Sequence, residues 1–553
     1  MKVACVGAGP AGLFFALLLC RAGGHEVDVF ERNSPDAAFG FGVVFSRLSL
    51  ARLRRVAPDA VDEMLEHGAV WDGLEVRRRG ERVRAAGHGF AAVERRALLA
   101  ALRRLAEEAG ARLHFRTEVD AAELPARYDV VVAADGANSR TRAAVADRFG
   151  ARVEAGASRY AWFASDRVFE EMTFLFAESD YGPVAAHAYP YSADRGTFLL
   201  EIDARTWHRA GFADGHAQAA DWSDERAMDF AHRVFADELR GARLYGNGSR
   251  WLRFPLVKCA RWHYGNLAGV GDAVHTAHFS VGSGTTMALE DAAELARCLA
   301  DLDTGDSGDG DGDDGSGSGS GSDGGALDRA LTAFEAVRRP TVDSLQAAAW
   351  ASRRVWERPE TYQDTDLSTL MLRMLSRTGQ LSARQLLRLD PNLPGPAGAA
   401  LTAFPEHSAP TLTGLKSSSG AVLLDASLSV GVGIDPAGDN RASLVRQLAA
   451  LRAQRPGREV GLLVTAPGCD EAAVRSRADQ VAGLSRRLRP DLLVIAPGSA
   501  SAAENRTAQM VLAESLRGGT TARVVYACHP RELEHGWTHV QARRADDVWV
   551  LAD

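Results

Sequence analysis

Lysine is almost missing from these 553 residues. It occurs only at Lys2, Lys258 and Lys416, so the 64 Lys and Arg residues are nearly all arginine. Set against 72 Asp and Glu, they leave a formal charge of −8, without the basic surplus that a nucleic-acid binder usually carries. Cysteine is also scarce. Six residues without C-x-x-C spacing suggest neither a disulfide framework nor a zinc site, and no metal is expected. Several lie in apolar runs and read as small core residues. No uninterrupted apolar run reaches the roughly 18 residues of a membrane span. The N-terminal stretch contains three glycines and reads as a folded motif rather than a secretory signal. A cytoplasmic protein is the resulting expectation. The hydrophobic and charged fractions, 46% and 25%, are those of a soluble globular chain, and the length calls for two or three packed units.

Two stretches interrupt the folded pattern. "DTGDSGDGDGDDGSGSGSGSDGG", Asp303 to Gly325, has no apolar residue and reads as a solvated acidic loop. It precedes an amphipathic helical stretch beginning near Leu327. "DPNLPGPAGAALTAFPEHSAPTLTG", Asp390 to Gly414, is rich in Pro and Gly. Beyond it, apolar strands such as "EVGLLVTAP", "DLLVIAP" and "ARVVYA" alternate with helical stretches such as "RASLVRQLAALRAQ". That is a run of βα units, hence a mostly parallel sheet covered by helices.

The opening residues, "KVACVGAGPAG", give a strand and then Gly7-x-Gly9-x-x-Gly12. A helix follows, then a second strand, "EVDVFE", ending in Glu31 beside Arg32. This is a dinucleotide fingerprint in its full context. Gly7 makes the tight turn, Gly9 lets a pyrophosphate approach the backbone, and Gly12 lets helix and strand pack closely. Pro10 and Ala11 complete the loop at the helix start, where unpaired N–H groups face the phosphates. Glu31 is expected to accept from a ribose. The motif alone leaves FAD and NAD open. A second glycine-rich stretch, "GVGDAVHTAHFSVGSGTTMALEDA", Gly269 to Ala292, has a strand ending at Gly271-Asp272 and a helix starting near Gly284-Thr285, with Gly282 just before it. An acid there can hold a ribityl hydroxyl, and helix-start N–H groups can stabilise a negatively charged flavin ring. One extended ligand gripped at both ends would need both loops. A third piece, "YDVVVAADGANSRTR", ends a strand at Asp135-Gly136.

These three motifs, in this order, resemble those of the flavoprotein aromatic hydroxylases of the p-hydroxybenzoate hydroxylase type. "FGFGVVFS" (Phe39 to Ser46), "HAYPYSADRGTFLLEI", "HTAHFSVGSGT" and "LSRTGQLSARQLLRLDP" resemble, more narrowly, the salicylyl-CoA 5-hydroxylase and anthraniloyl-CoA monooxygenase group. The resemblance implies an α/β (α+β) fold: a Rossmann-like FAD domain (1–70, 95–158, 264–302) interleaved with a mixed-sheet substrate domain (71–94, 159–263). The acidic loop (303–325), a closing helical segment (326–395) and a small C-terminal βα-repeat domain (411–553) would follow. The relatives' reductase barrel needs roughly 250 residues. The shorter stretch here fits a half-barrel remnant with a docking or dimerising role, and a homodimer is the partner expectation.

By the same resemblance, Gly7, Gly9, Gly12, Glu31, Arg95 (in "VERRALL"), Asp135 and Asp272 would contact FAD. Gly284 and Thr285 would lie at its ring, walled by Val43 and Val44. The implied reaction uses NADH or NADPH and dioxygen, and hydroxylates an electron-rich ring through a flavin hydroperoxide. The leading substrate is salicylyl-CoA, giving gentisyl-CoA. His278 and His275, close in sequence to the ring-binding loop, are the candidate bases for a phenolic proton. His187 and Tyr189, on one side of an alternating strand, are substrate candidates together with Phe279 and Ser280. In "EVRRRGERVR", Arg77, Arg78, Arg79, Arg82 and Arg84 offer guanidinium forks for CoA phosphates. The rivals are a hydroxylase of tryptophan or another free aromatic compound and an FAD-based redox switch. A flavin halogenase is disfavoured by the missing W-x-W-x-I-P motif and the rarity of lysine.

Overall fold

The computed structural model describes residues 1–214, 223–304, 322–359, 363–393 and 459–551. It also describes 395, 446, 449–450, 452–453 and the strand residues 411–412, 421–424 and 429–433. Most of the acidic loop (305–321) lies outside the described residues, as does most of the helix expected from "RASLVRQLAALRAQ". The chain divides into two units, Met1–Arg79 with His88–Gln346, and Gly80–Gly87 with Ala347–Asp553. The stretch 71–94, assigned above to one domain, is therefore shared between the units.

In the first unit a six-stranded sheet runs His263–Tyr264, Leu267–Gly269, Val130–Ala133, Lys2–Val6, Glu26–Glu31, Arg112–Phe115. All neighbours are parallel except the two-residue edge strand. The central strands "VACV" and "VVVA" are apolar without alternation, as a sheet buried on both faces requires. Helix Pro10–Ala22 starts with proline at its first turn, where no backbone donor is lost, and packs against helix Gly284–Thr304.

A second sheet of this unit runs Leu244–Tyr245, Arg159–Ser165, Gly196–Ile202, Gly182–Pro190, Met172–Ser179, Leu74–Arg78. Its two faces differ, because successive side chains point to opposite sides. One face carries Ala161, Phe163, Leu175, Ala186, Phe198 and Leu200, packed with Phe230 and Phe235 into an apolar core. Across the other face, register pairs Tyr160 with Glu201, His187 with Leu199 and Phe174, and Tyr189 with Thr197. That face is polar and aromatic although it is buried. A small third sheet pairs Gly42–Ser46 and Ala69–Trp71 with Phe90–Glu94.

The second unit is built on a sheet in the order 411–412, 547–551, 523–528, 492–496, 459–465, 429–433, 421–424. It is parallel except at the last pair. From 429–433 to 547–551 each strand neighbours the next one in sequence. Helices Glu471–Leu488 and Ala502–Gly519 follow their strands and begin with capping side chains, Asp470 and Ser501, that accept from the first-turn amides. Among the described residues no helix is long and apolar enough to cross a membrane.

Candidate functional site

The first glycine loop is shaped by close approaches. Gly7 has φ 108°, and a Cβ there would lie 2.5 Å from the carbonyl oxygen of Ala134. A methyl on Gly12 would overlap the Gly7 carbonyl oxygen. Gly9 is different: its nearest neighbour would be 4.0 Å away, so the loop is open at the point where a ligand would approach. Glu31 braces this loop. Its carboxylate accepts from Ala8 N at 3.0 Å and from Asn33 N and Nδ2 at 2.8 and 2.7 Å. Arg32 beside it is exposed.

The opposite wall comes from two later loops. Asp135 Oδ2 accepts from Thr141 N and Oγ1 at 3.1 and 3.0 Å, while its buried Oδ1 has no hydrogen-bond partner. Gly136 turns the chain with φ 78°. Gly271, at φ 58°, lies where a Cβ would be 2.8 Å from the Ala288 methyl and 3.7 Å from that of Ala11. Helices Pro10–Ala22 and Gly284–Thr304 thus meet beside a turn that only glycine fits. Gly284 has open space around it, Thr285 follows it in the first turn, and the buried Oγ1 of Thr286 lacks a partner. Gly282, with φ 62°, comes within 4.0 Å of Val44 Cγ1 when its Cβ position is considered. The glycine-rich loop and the "VV" strand, where Val43 is buried, therefore face each other.

Solvent reaches the Asp272 side chain, yet burial raises its carboxyl pKa; His275 and Arg95 pull the other way and Asp291 adds to the rise. Burial lowers the Arg95 pKa, opposed by the charge of Asp272 and by Tyr189. Both groups sit where burial disfavours their charged forms and each offsets part of that cost for the other. The unpartnered oxygens of Asp135 and Thr286, the methyl-intolerant glycines and the two helix starts form a donor and acceptor set that fits FAD.

Sequence reasoning missed the residues that hold these loops. Arg142, buried, donates to Ala273 O at 2.9 Å and to Ala137 O at 2.8 Å, tying the Asp135 loop to the Asp272 turn. Asp291 accepts from Gly271 N at 3.0 Å, His275 Nε2 at 2.6 Å and Arg338 Nε at 2.8 Å. His275 is thereby turned toward Asp291, and its other nitrogen is buried without a partner. His278 takes a different path. Its Nδ1 lies 2.9 Å from Ser280 Oγ, and its Nε2 faces Glu201 Oε1 at 3.5 Å. Phe279 packs on Tyr160, His187 and Phe254. Tyr189 donates to Gly42 O at 2.9 Å and so anchors the "FGFG" loop; burial pushes its pKa well up.

Of the arginine run, Arg77 is engaged by Glu75 and Glu238 at 2.6 and 2.8 Å, which removes it from the phosphate candidates. Arg78 and Arg79 belong to the first unit, Arg82 and Arg84 to the second. No group of three or more His, Cys, Asp or Glu able to hold a metal occurs among the described residues.

A family model described as FAD binding domain matches residues 1–312. A salicyloyl-CoA 5-hydroxylase from a Streptomyces species is 42% identical over 360 residues, which cover 65% of this chain and 65% of that protein's own length. A 3-hydroxy-4-methyl-anthranilyl-(aryl-carrier protein) 5-monooxygenase from Streptosporangium sibiricum is 36% identical over 392 residues, 70% of this chain and 97% of that one. Among solved structures, 2-methyl-3-hydroxypyridine-5-carboxylic acid oxygenase shares the fold with a TM-score of 0.51 at 18% identity, covering 70% of this chain and 97% of its own.

Proposed function

From the premise that the chain belongs to the FAD-binding-domain family, we propose that it is an FAD-dependent monooxygenase that hydroxylates the ring of an aromatic acid carried as a thioester, with salicylyl-CoA to gentisyl-CoA as the leading case. The observation that carries this reading is the meeting of two separate glycine-rich turns at the starts of two helices, with the polar sheet face of Glu201 and His187 joined to the second turn's loop through His278. A thioester is favoured over a free aromatic acid because the two relatives described above act on a CoA and a carrier-protein substrate.

Residues 1–70, 95–158 and 264–302 would hold FAD. Gly7, Gly9, Pro10, Ala11 and Gly12 would cradle its pyrophosphate, Glu31 and Arg32 its adenosine end, and Asp135, Gly136, Gly271 and Asp272 its central chain. Arg95 would balance phosphate charge, and Val43, Val44, Gly282, Gly284 and Thr285 would border the ring. When bound, FAD supplies the redox chemistry, using NADH or NADPH and dioxygen to deliver one oxygen atom to the substrate ring and the other to water. The chain's own residues then have three tasks. Helix-start amides at Gly284 and Thr285 offer donors to negative charge near the ring. Phe254, Phe279 and Tyr160 exclude water from the reacting face. Ser280 and His278 receive the substrate's hydroxyl proton, which enriches the ring carbon para to it. His187 and Tyr189 would line the substrate side.

The test is flavin reduction followed by stopped flow. NADH or NADPH should reduce the bound flavin much faster with salicylyl-CoA than with free salicylate or tryptophan, and hydroxylated thioester should accumulate. Equal stimulation by the free acid would overturn the thioester; a protein that takes up no FAD would overturn the whole reading.

A further inference from the structure

Glu201 is an acid where the sequence offers none of the usual reasons for one. It lies in the strand Gly196–Ile202, next to two leucines and an isoleucine, and is 1% exposed. A buried carboxylate is costly unless it is paired and hydrogen-bonded. Ser158 Oγ donates to Glu201 Oε1 at 2.7 Å, His187 Nε2 lies 3.2 Å from Oε2, and His278 Nε2 lies 3.5 Å from Oε1. The tautomer of His278 follows from its other side. The Ser280 backbone N–H can only donate, and it reaches Nδ1 at 3.4 Å. Nδ1 is therefore the accepting nitrogen of the neutral ring, and Nε2 carries the proton that faces Glu201. The Ser280 hydroxyl is 2.9 Å from that same Nδ1.

We propose that Glu201 is the positioning carboxylate of a proton relay, Ser280–His278–Glu201, which removes the hydroxyl proton of the aromatic substrate, with Ser158 and His187 fixing the carboxylate. This rests on the aromatic-hydroxylase reading above. In the step itself the substrate O–H bond breaks as its proton passes to the Ser280 oxygen, and the Ser280 proton forms a new N–H bond at His278 Nδ1. The electron pair stays on the substrate oxygen. The imidazolium is balanced by Glu201, and the proton returns to the product oxygen before release. The arrangement follows the logic by which a buried carboxylate holds a base in one tautomer and stabilises its charged form.

The groups around the relay are compatible with it. Tyr160, on the neighbouring strand, has its pKa pushed up to about 12, by burial first and then by the charges of Glu201 and Asp272, so it stays neutral. Phe254 and Phe279 pack on the His278 ring at 5.0 and 4.0 Å, and Phe174 and Phe279 on the His187 ring at 5.1 and 5.5 Å. These aromatic neighbours bring no charge. Of the titratable groups, Glu201 faces the base directly, and His187 and Tyr160 act on Glu201 in turn.

The experiment uses the FAD-loaded full chain and needs no turnover for its first readout. Salicylyl-CoA is bound to oxidised protein and its phenolate absorbance is followed against pH. The wild type should ionise the bound phenol at lower pH than the ligand in solution. Glu201→Gln should move that titration up by about one unit or more. In turnover at neutral pH the same variant should lose about 10- to 100-fold in kcat. It should recover above the pH at which the free phenol ionises by itself, and Glu201→Asp should regain part of the loss. A purely structural role would predict neither the recovery nor the spectral shift. Should Glu201→Gln retain no FAD, Ser280→Ala interrupts the relay from its other end and should show the same shift. Wild-type titration and pH profile in the variant that binds FAD overturn the relay alone, whereas a wild-type protein that hydroxylates no aromatic thioester overturns the reading on which it stands.

Discussion

Replacing Asp291 by Asn should weaken FAD binding, although Asp291 lies 20 residues beyond the turn at Gly271. Its carboxylate accepts three hydrogen bonds in a fully buried position: Gly271 N and His275 Nε2 on Oδ2, and Arg338 Nε on Oδ1. An amide has one acceptor oxygen and a donating NH2. Whichever way it turns, a donor meets a donor, and Arg338 loses one of its two carboxylates, keeping Glu290 at 3.1 Å. Removing one partner of a buried pair costs about 3–5 kcal/mol, and the surviving Glu290 contact argues for about 3. If all of that falls on the turn carrying Asp272, FAD binding weakens by up to about a hundredfold. Flavin release during denaturant titration, and FAD affinity by fluorescence, measure both effects. The pH dependence adds a signed check. Burial alone would raise the Asp291 pKa, but His275 and then Arg338 hold it below its ordinary value. A lowered folded-state pKa gives stability that is present above the unfolded value, near pH 4, and lost as pH falls through the folded one. The gap between wild type and Asp291→Asn should therefore be full at pH 7 and close below about pH 4. An Asn variant with wild-type FAD affinity, or a gap that widens in acid, would refute the reasoning.

Two further substitutions separate building the loop from using it. Gly12→Ala forces a methyl onto the Gly7 carbonyl oxygen and should destabilise the apoprotein by about 1–3 kcal/mol as well as abolish FAD uptake; Gly9→Ala, with 4.0 Å of clearance, should leave the apoprotein's melting unchanged and affect only FAD affinity. Arg142→Ala should weaken FAD about tenfold with circular dichroism unchanged, and Arg142→Lys should not restore it, because an ammonium cannot reproduce the fork spanning Ala137 O and Ala273 O. Equal affinities for Lys and Arg at this position would show that charge, not the clamp, matters.

What the sequence makes legible are backbone requirements, because glycine is the residue that answers them. Gly7 and Gly271 hold positive φ and exclude a Cβ, and both can be found by spacing alone. The βα repeats after Glu459 are legible for a related reason: each strand is buried on both faces and reads as an unbroken apolar run. Partnerships across the fold are not written in any window. Arg142 reaches Ala273 over 131 residues, and Arg338 reaches Asp291 over 47. One local signal was available for Arg77. On a strand, residues two apart share a face, so Glu75 was its nearest anion before any phosphate. Glu201 had a signal too, an acid inside "TFLLEI", since an apolar strand tolerates such a residue only with partners waiting.

The same contrast explains why both glycine-rich stretches are needed. A Cβ at Gly271 would meet Ala288 and Ala11, one from each of the two helices that start beside these loops. Asp291 holds that turn from the second helix, and Arg142 holds it from the Asp135 loop. The first loop is thereby set against the second by contacts across the fold rather than by sequence proximity. A change at any of these positions should loosen the ligand at both ends together. Adenosine-end fragments such as ADP would then lose affinity in Asp291→Asn along with intact FAD, even though Asp291 touches neither Gly7 nor Glu31 in the hydrogen bonds it makes.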